Sequence, residues 1–217
     1  MPTEIELRQE LLFPSGVYNC DLPNFLPLVK RVSNKHLKNA HRHPGAPLMS
    51  DQFAQDPALK EFTQELLEVC HYILSKSGYK MCDFVTFFTA MWTQQHEHLS
   101  LMEQHVHGHG DQLVGFYCLD APKGCGRVMF HDPRPGKVQV NLPENDMSSV
   151  TLASDAVNFE LIPGRLILAP AWLPHSFTRN MNKTKPARFV HFNVGVRFQP
   201  RACNVGPVCK TPAAEVV

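Results

Sequence analysis

The stretch "HVHGHGD", His105 to Asp111, sets three histidines and an aspartate on alternate positions of seven residues. Along an extended strand, residues two apart point to one side, so His105, His107, His109 and Asp111 would share a face if one strand ran through them all. Gly108 and Gly110 argue against that continuation. The division expected is a strand end carrying His105 and His107, followed by a loop carrying His109 and Asp111. Such a run is either part of a metal site or a polar rim facing solvent, and a His-x-His pair alone favours the rim. A further ligand from a distant segment separates the two.

That segment stands some 65 to 70 residues downstream, in "LIPGRLILAPAWLPHSF" (161–177). Pro163-Gly164 form a turn, Arg165 to Leu168 an apolar strand, and His175 follows a proline-rich bend. Thirteen residues later Arg188 opens the strand "RFVHFNVGVRF". An early His pair at a strand end, a late single His and an Arg on the next strand form the ligand order of the double-stranded β-helix metalloenzymes. Imidazole and carboxylate ligands on one side of the ion leave open positions on the other for a cosubstrate and dioxygen.

The surroundings agree with such a core. After Gly78, short segments rich in Val, Phe, Tyr and Leu alternate with Gly, Pro, Asn and Asp clusters, the pattern of a sandwich or barrel. "FVTFFTAMW", "QLVGFYCL", "GRVMFH", "KVQVNL", "VNFELI", "RLILAPAW" and "RFVHFNVGVRF" are the strand candidates. Before Gly78 the period is helical. Asp56 caps, Pro57 suits a first turn, and Leu59, Phe62, Leu66, Val69 and Ile73 recur at three- and four-residue steps. Gly78 is the stop. A shorter helix is expected across "LPNFLPLVKRVSNKHL", with Phe25, Val29 and Val32 on one face and Pro27 in its first turn. His41 and His43, in the loop "HRHPGAP", are taken as solvated.

At 217 residues the chain suits one domain. Residues 1–78 would be a helical N-terminal support, 79–200 the β-core, and 201–217 an extended or disordered tail. Hydrophobic residues at 43% and charged residues at 19% are globular values, and 18 prolines with 12 glycines favour loops and short strands over a helical bundle. A net charge of +1 gives no footprint for nucleic acid or an anionic membrane. The N-terminus has no apolar h-region and "MCDFVTFFTAMW" is too short to cross a bilayer, so a soluble, cytoplasmic protein is expected. Seven cysteines without a CxxC pair point to neither a disulfide framework nor a structural zinc site.

Together, "MWTQQ", "HVHG", "GFYCLDAP", "FHDPRP", "PGRLILAPAWLPHSF" and "RFVHFNVGV" resemble the iron(II)- and 2-oxoglutarate-dependent oxygenases found in marine bacteria and in phages of cyanobacteria. The likeness runs from about Leu11, in "LLFPSGVY", to Phe198. It implies a mainly β fold, a double-stranded β-helix of jelly-roll or cupin type with the N-terminal helices packed outside, and Fe(II) and 2-oxoglutarate as cofactors. By this resemblance His105 is the first metal histidine and His175 the distal one. Arg188 is the partner of the far carboxylate of 2-oxoglutarate, a task a guanidinium fork suits. Tyr117 and Trp172 are candidates to line the pocket.

One position departs from the family's pattern: His107 stands where the carboxylate of HxD or HxE belongs. Asp111 is the first substitute, as His109-x-Asp111 or as HxHxxxD with His105 and His107. Asp132 in "FHDPRP" is the alternative, and three histidines without a carboxylate is the third. The activity expected is hydroxylation of an unreactive C–H bond by dioxygen, with release of succinate and CO2, on a small-molecule or protein side-chain substrate. Two rivals remain: a cupin-type metal dioxygenase or isomerase without 2-oxoglutarate, and a non-catalytic β-sandwich binding module.

Overall fold

The structure is a computed structural model that describes residues 7–38, 40, 46–139 and 142–199. The expectations for His41, His43 and the tail fall outside these residues. After strand β1 (Tyr18–Asp21), helix α1 (Leu26–Leu37) forms with Pro27 in its first turn, where a missing N–H costs nothing, and buries Val29 and Val32. A two-residue strand β2 (Leu48–Met49) precedes helix α2 (Lys60–Lys76). The Asp56 carboxylate accepts the Ala58 N–H at 3.0 Å in the turn that leads into α2. At its far end Gly78 adopts φ +94°. There Gly78 N–H bonds to Ser75 O and Tyr79 N–H to Leu74 O, the paired bonds of a Schellman stop that glycine makes without strain. Phe62, Leu66, Cys70, Ile73 and Leu74 form the buried face of α2.

The strands that follow are β3 (Phe84–His96), β4 (Met102–His105), β5 (Asp111–Asp120), β6 (Val128–His131), β7 (Ala156–Phe159), β8 (Arg165–Pro170), β9 (His175–Phe177) and β10 (Ala187–Phe198). Between β6 and β7 lies a short helix, α3 (Pro135–Gln139), which takes the first half of the strand candidate "KVQVNL"; residues 140 and 141 lie outside the described residues. Alternation misleads there because Pro135 starts a helical turn and Lys137 is held by the Ala153 carbonyl and the Asp155 carboxylate outside any sheet.

All strand pairs are antiparallel. They make a six-stranded sheet in the order β1-β8-β5-β10-β3-β2 and a four-stranded sheet in the order β4-β9-β6-β7. This is a jelly-roll core. The N-terminal segment is therefore more than a helical support, since β1 pairs with β8 and β2 with β3. Side chains alternate between two apolar layers. Tyr117, Leu119, Val190, Phe192 and Val194 join the α1 and α2 residues outside the large sheet. Val114, Phe116, Cys118, Ala187 and Phe189 meet Val128, Phe130 and Phe177 of the small sheet between the two. Gly115 is fixed by this packing, because a Cβ there would stand 2.1 Å from the Phe192 ring.

Among the described residues, no helix is long and apolar enough to cross a membrane.

Candidate metal centre

The mouth of the sandwich, where β4 ends and β9 begins, gathers the imidazoles. His105 and His175 are cross-strand partners in β4 and β9. His107 lies beyond the end of β4, its N–H bonded to Ala171 O at 2.9 Å, and Asp111 is the first residue of β5 rather than part of a loop. Ligand nitrogens of His105, His107 and His175 all lie within 4.8 Å of one another. Their ring centroids are 4.5 to 5.2 Å apart. His109 is exposed at φ 55° and takes no part.

The donor set fits a divalent transition metal. His105 Nδ1 lies 2.8 Å from Glu103 O and His175 Nδ1 2.9 Å from Leu173 O, so each Nδ1–H donates to a backbone carbonyl and each Nε2 keeps its lone pair. His175 is buried and its Nε2 has no hydrogen-bond partner, an arrangement that a metal ion satisfies. Burial holds the His175 pKa down to about 4, against the Leu173 carbonyl, which raises it, and with smaller lowering effects from the neighbouring histidines. Burial is also the main reason that His107 lies below the usual histidine range, with Asp111 pulling the other way. Neutral imidazoles are the ligand form.

A fourth histidine, which the sequence pattern does not single out, lies beside the three. His191 is fully buried on β10, its Nε2 3.3 Å from His107 Nε2 and its Nδ1–H donating to Gly115 O at 3.0 Å. Phe116 stacks on it at 4.6 Å and Trp92 meets it edge-on at 4.6 Å, with the Trp92 indole N–H buried and unpartnered. Asn193, two residues on, reaches the other side of His107. Strand alternation carried this signal, since His191 and Asn193 share a face. The string "RFVHFNVGV" is apolar on both faces and does not say which one looks inward.

The remaining expected residues sit elsewhere. Asp111 lies behind His107, accepting from Thr89 Oγ1 and, at 3.0 Å, from Asn193 Nδ2; it is not among the converging ligands. Asp132 is gripped by Arg134 through Nε at 2.9 Å and Nη2 at 2.6 Å, and this holds its pKa down. Arg188 is a correction. It falls on the opposite face of β10 from His191 and binds Asp120 (Nε to Oδ2, 2.7 Å) and Asn34 of α1 (2.6 Å). Tyr117 is a second correction: it packs on Phe62 in the helix-facing layer and donates to Leu22 O at 2.8 Å. The site-facing positions of β10 are Ala187, Phe189, His191 and Asn193, with no Lys or Arg among them. Trp172 is 50% exposed. A cavity of about 820 Å³ borders the site through Phe130 and Leu173 and is lined by Leu12, Phe13 and Val157.

Residues 90–193 match the family described as "Putative 2OG-Fe(II) oxygenase", and that span holds every residue of the centre. Just under half of the chain is therefore similar to the 2OG-Fe(II) oxygenases. This family uses Fe(II) and 2-oxoglutarate. Three solved structures of the same fold show how far the likeness reaches. The epimerase SnoN of nogalamycin biosynthesis, in a complex with Fe3+, alpha ketoglutarate and nogalamycin RO, has 14% identity and TM-score 0.56 over 94% of this chain and 89% of its own. A Pseudomonas putida prolyl-4-hydroxylase has 8% identity and TM-score 0.56 over 87% of this chain and 94% of its own. AviO1 of Streptomyces viridochromogenes has 14% identity and TM-score 0.59 over 87% of this chain and 93% of its own. No curated protein matches the chain. At these identities the jelly-roll fold is what the solved structures share with it.

Proposed function

We propose that the protein is an oxygenase that holds Fe(II) through His105, His107 and His175 and consumes 2-oxoglutarate and dioxygen to hydroxylate an unreactive C–H bond, releasing succinate and CO2. The observation that carries it is the convergence of three imidazoles on a buried His175 Nε2 that has no other partner. Iron supplies the oxidising chemistry when bound. The chain's own residues hold and orient it: the Glu103 and Leu173 carbonyls fix the rings of His105 and His175, and Phe116 and Phe130 keep water from the inner side. With Arg188 turned away, the cosubstrate's far carboxylate meets neutral donors, of which the unpartnered Trp92 indole N–H is the candidate. The cavity beside Phe130 and Leu173, whose wall also holds Asp132, Arg134 and Lys137, is of a size that suits a small molecule or a protein side chain as substrate.

Anaerobic reconstitution with Fe(II) tests this reading. One equivalent should bind, His105→Ala and His175→Ala should lose it, and the loaded protein should form succinate from 2-oxoglutarate. Full iron occupancy in both variants would end the metal reading. A second reading, a metal dioxygenase without 2-oxoglutarate, is favoured by one observation: no cation faces the site from β10. Iron binding without succinate formation on any substrate would select it.

A further inference from the structure

We propose that the cavity beside the metal centre takes an uncharged, mainly apolar molecule or side chain, anchored by one hydrogen bond to His131 Nδ1. The inference deepens the oxygenase reading and rests on it, since it makes this cavity the substrate site of that centre.

The cavity, of about 820 Å³, is lined by the 9–15 segment, β7, the end of β6 and the 150–155 loop. It reaches the centre through Phe130, whose ring is 6.1 Å from that of His175, and through Leu173, whose carbonyl accepts the His175 Nδ1–H. Two of the lining segments hold apolar side chains out in solvent. Leu12 and Phe13 do so on one, with Phe13 92% exposed, and Val150 and Leu152 on the other, with Val150 70% exposed. Exposed apolar residues gathered around one cavity mark a surface that a ligand covers.

The charges of the wall are closed on themselves. Arg134 forks onto the Asp132 carboxylate, and Lys137 is held by Asp155 and the Ala153 carbonyl. An anion entering the cavity gains attraction only by breaking one of these pairs and stranding its carboxylate. A cation meets only Glu10, which stays exposed on the 9–15 segment, because Asp132 and Asp155 are already engaged. Ser154 is occupied too, its hydroxyl donating to Glu144 and accepting the Thr151 N–H. His131 differs. Its Nε2 meets Ser176 Oγ at 2.9 Å, and its Nδ1 has no partner among the described residues. It follows Phe130 on β6, so this open position stands one residue from the ring that touches His175. A ligand hydroxyl suits it, since a hydroxyl donates or accepts as the tautomer of the ring requires.

Nile red, an uncharged probe whose emission rises in apolar surroundings, tests this on the intact chain at pH 8. Wild type should bind it, and decanol should displace it at concentrations about tenfold or more below those of decanoate or decylammonium. Leu152→Lys, at an exposed position of the lining, should weaken both probe and decanol. His131→Phe should keep the probe and weaken decanol by about fivefold, the size of one hydrogen bond. Far-ultraviolet circular dichroism confirms that both variants fold. No probe binding, probe binding undiminished in Leu152→Lys, or equal displacement by the charged amphiphiles overturns the inference, and unchanged decanol affinity in folded His131→Phe overturns the anchor. Manganese separates this from the metal reading: one equivalent of Mn(II) should broaden the proton resonances of bound decanol in wild type and not in His175→Ala. If bound Mn(II) leaves those resonances sharp, the cavity is not the substrate site. If Mn(II) does not bind, the oxygenase reading falls and takes the substrate role with it, while the order of displacement still decides what the cavity holds.

Discussion

The side-chain amide of Asn193 stands between the ring of His107 and the carboxylate of Asp111, its Nδ2 2.9 Å from Nδ1 and 3.0 Å from Oδ2. Both amide hydrogens are used, and the amide oxygen is left buried without a partner. Asp111 therefore orients Asn193, and Asn193 orients His107: Nδ1 accepts from the amide, the neutral ring carries its proton on Nε2 toward His191 Nε2, and metal binding at Nε2 moves that proton to Nδ1 and turns the amide oxygen to it. Asp111→Ala and Asn193→Leu should each lower iron affinity by about 10–100-fold while stoichiometric binding survives at saturating metal. Isothermal titration under argon measures this. A loss as complete as that of His175→Ala would make Asp111 a ligand.

Arg188 belongs to a different structure altogether. Its guanidinium joins Asp120, which also accepts from Lys30, and Asn34, so it pins α1 to the ends of β5 and β10. A partly exposed pair of this kind is worth about 0.2–1 kcal/mol. Arg188→Ala should cost that much in urea denaturation and leave 2-oxoglutarate affinity at the wild-type value. Trp92→Phe, which removes the candidate donor, should weaken 2-oxoglutarate by about 10–100-fold, the size of one hydrogen bond to a carboxylate. A large loss of 2-oxoglutarate affinity in Arg188→Ala alone would return the cosubstrate role to that residue.

The contrast between α2 and β10 explains what could be read in the sequence. In α2 one face is solvated, so Phe62, Leu66 and Ile73 stand out against polar neighbours, and Asp56 and Gly78 mark its ends. β10 lies between two sheet neighbours and two apolar layers, and from Phe189 to Gly195 every residue is buried. Alternation then carries no inside-outside contrast, and Arg188 and His191, three positions apart, fall on opposite faces. His105 and His175 were legible because each closes or opens a short strand beside turn residues. Asn193 was not, because its role depends on Asp111 and His107, which only the fold brings together.

Asp56 contributes at the start of α2. Its carboxylate takes the Ala58 N–H, His36 Nε2 at 3.1 Å and Lys35 Nζ at 3.1 Å. The His36 bond first, then the Ala58 N–H, hold its pKa down to about 2. Asp56→Ala should lower stability by about 1 kcal/mol and Tm by about 2–4 °C. Asp56→Asn, which keeps the cap acceptor but not the charge, should recover part of that. Equal Tm for wild type and Asp56→Ala would show that the cap does not limit α2.

His96 sets a pH dependence separable from that of the carboxylates. It is fully buried against Phe177 and Phe189, with Nε2 3.2 Å from Gln94 Oε1 and Nδ1 3.3 Å from Ser100 Oγ. As a neutral ring it donates from Nε2 and accepts the hydroxyl at Nδ1. Burial pushes its pKa down to about 3 from the ordinary 6.5. The unfolded chain therefore takes up a proton below pH 6.5 that the native protein refuses until about pH 3, so the native state loses ground as pH falls through that window. Full stability from this group is present above pH 6.5. The limiting slope is about 1.4 kcal/mol per pH unit for one such group. His96→Phe should be less stable at pH 7.5, having lost two polar partners, but its stability should fall less steeply between pH 6.5 and 4.5. Urea titrations across that range, with a chelator present to exclude metal release, give the slopes; that interval lies above the one in which Asp56 titrates. Identical slopes for wild type and His96→Phe would mean that His96 is not held neutral in the native protein.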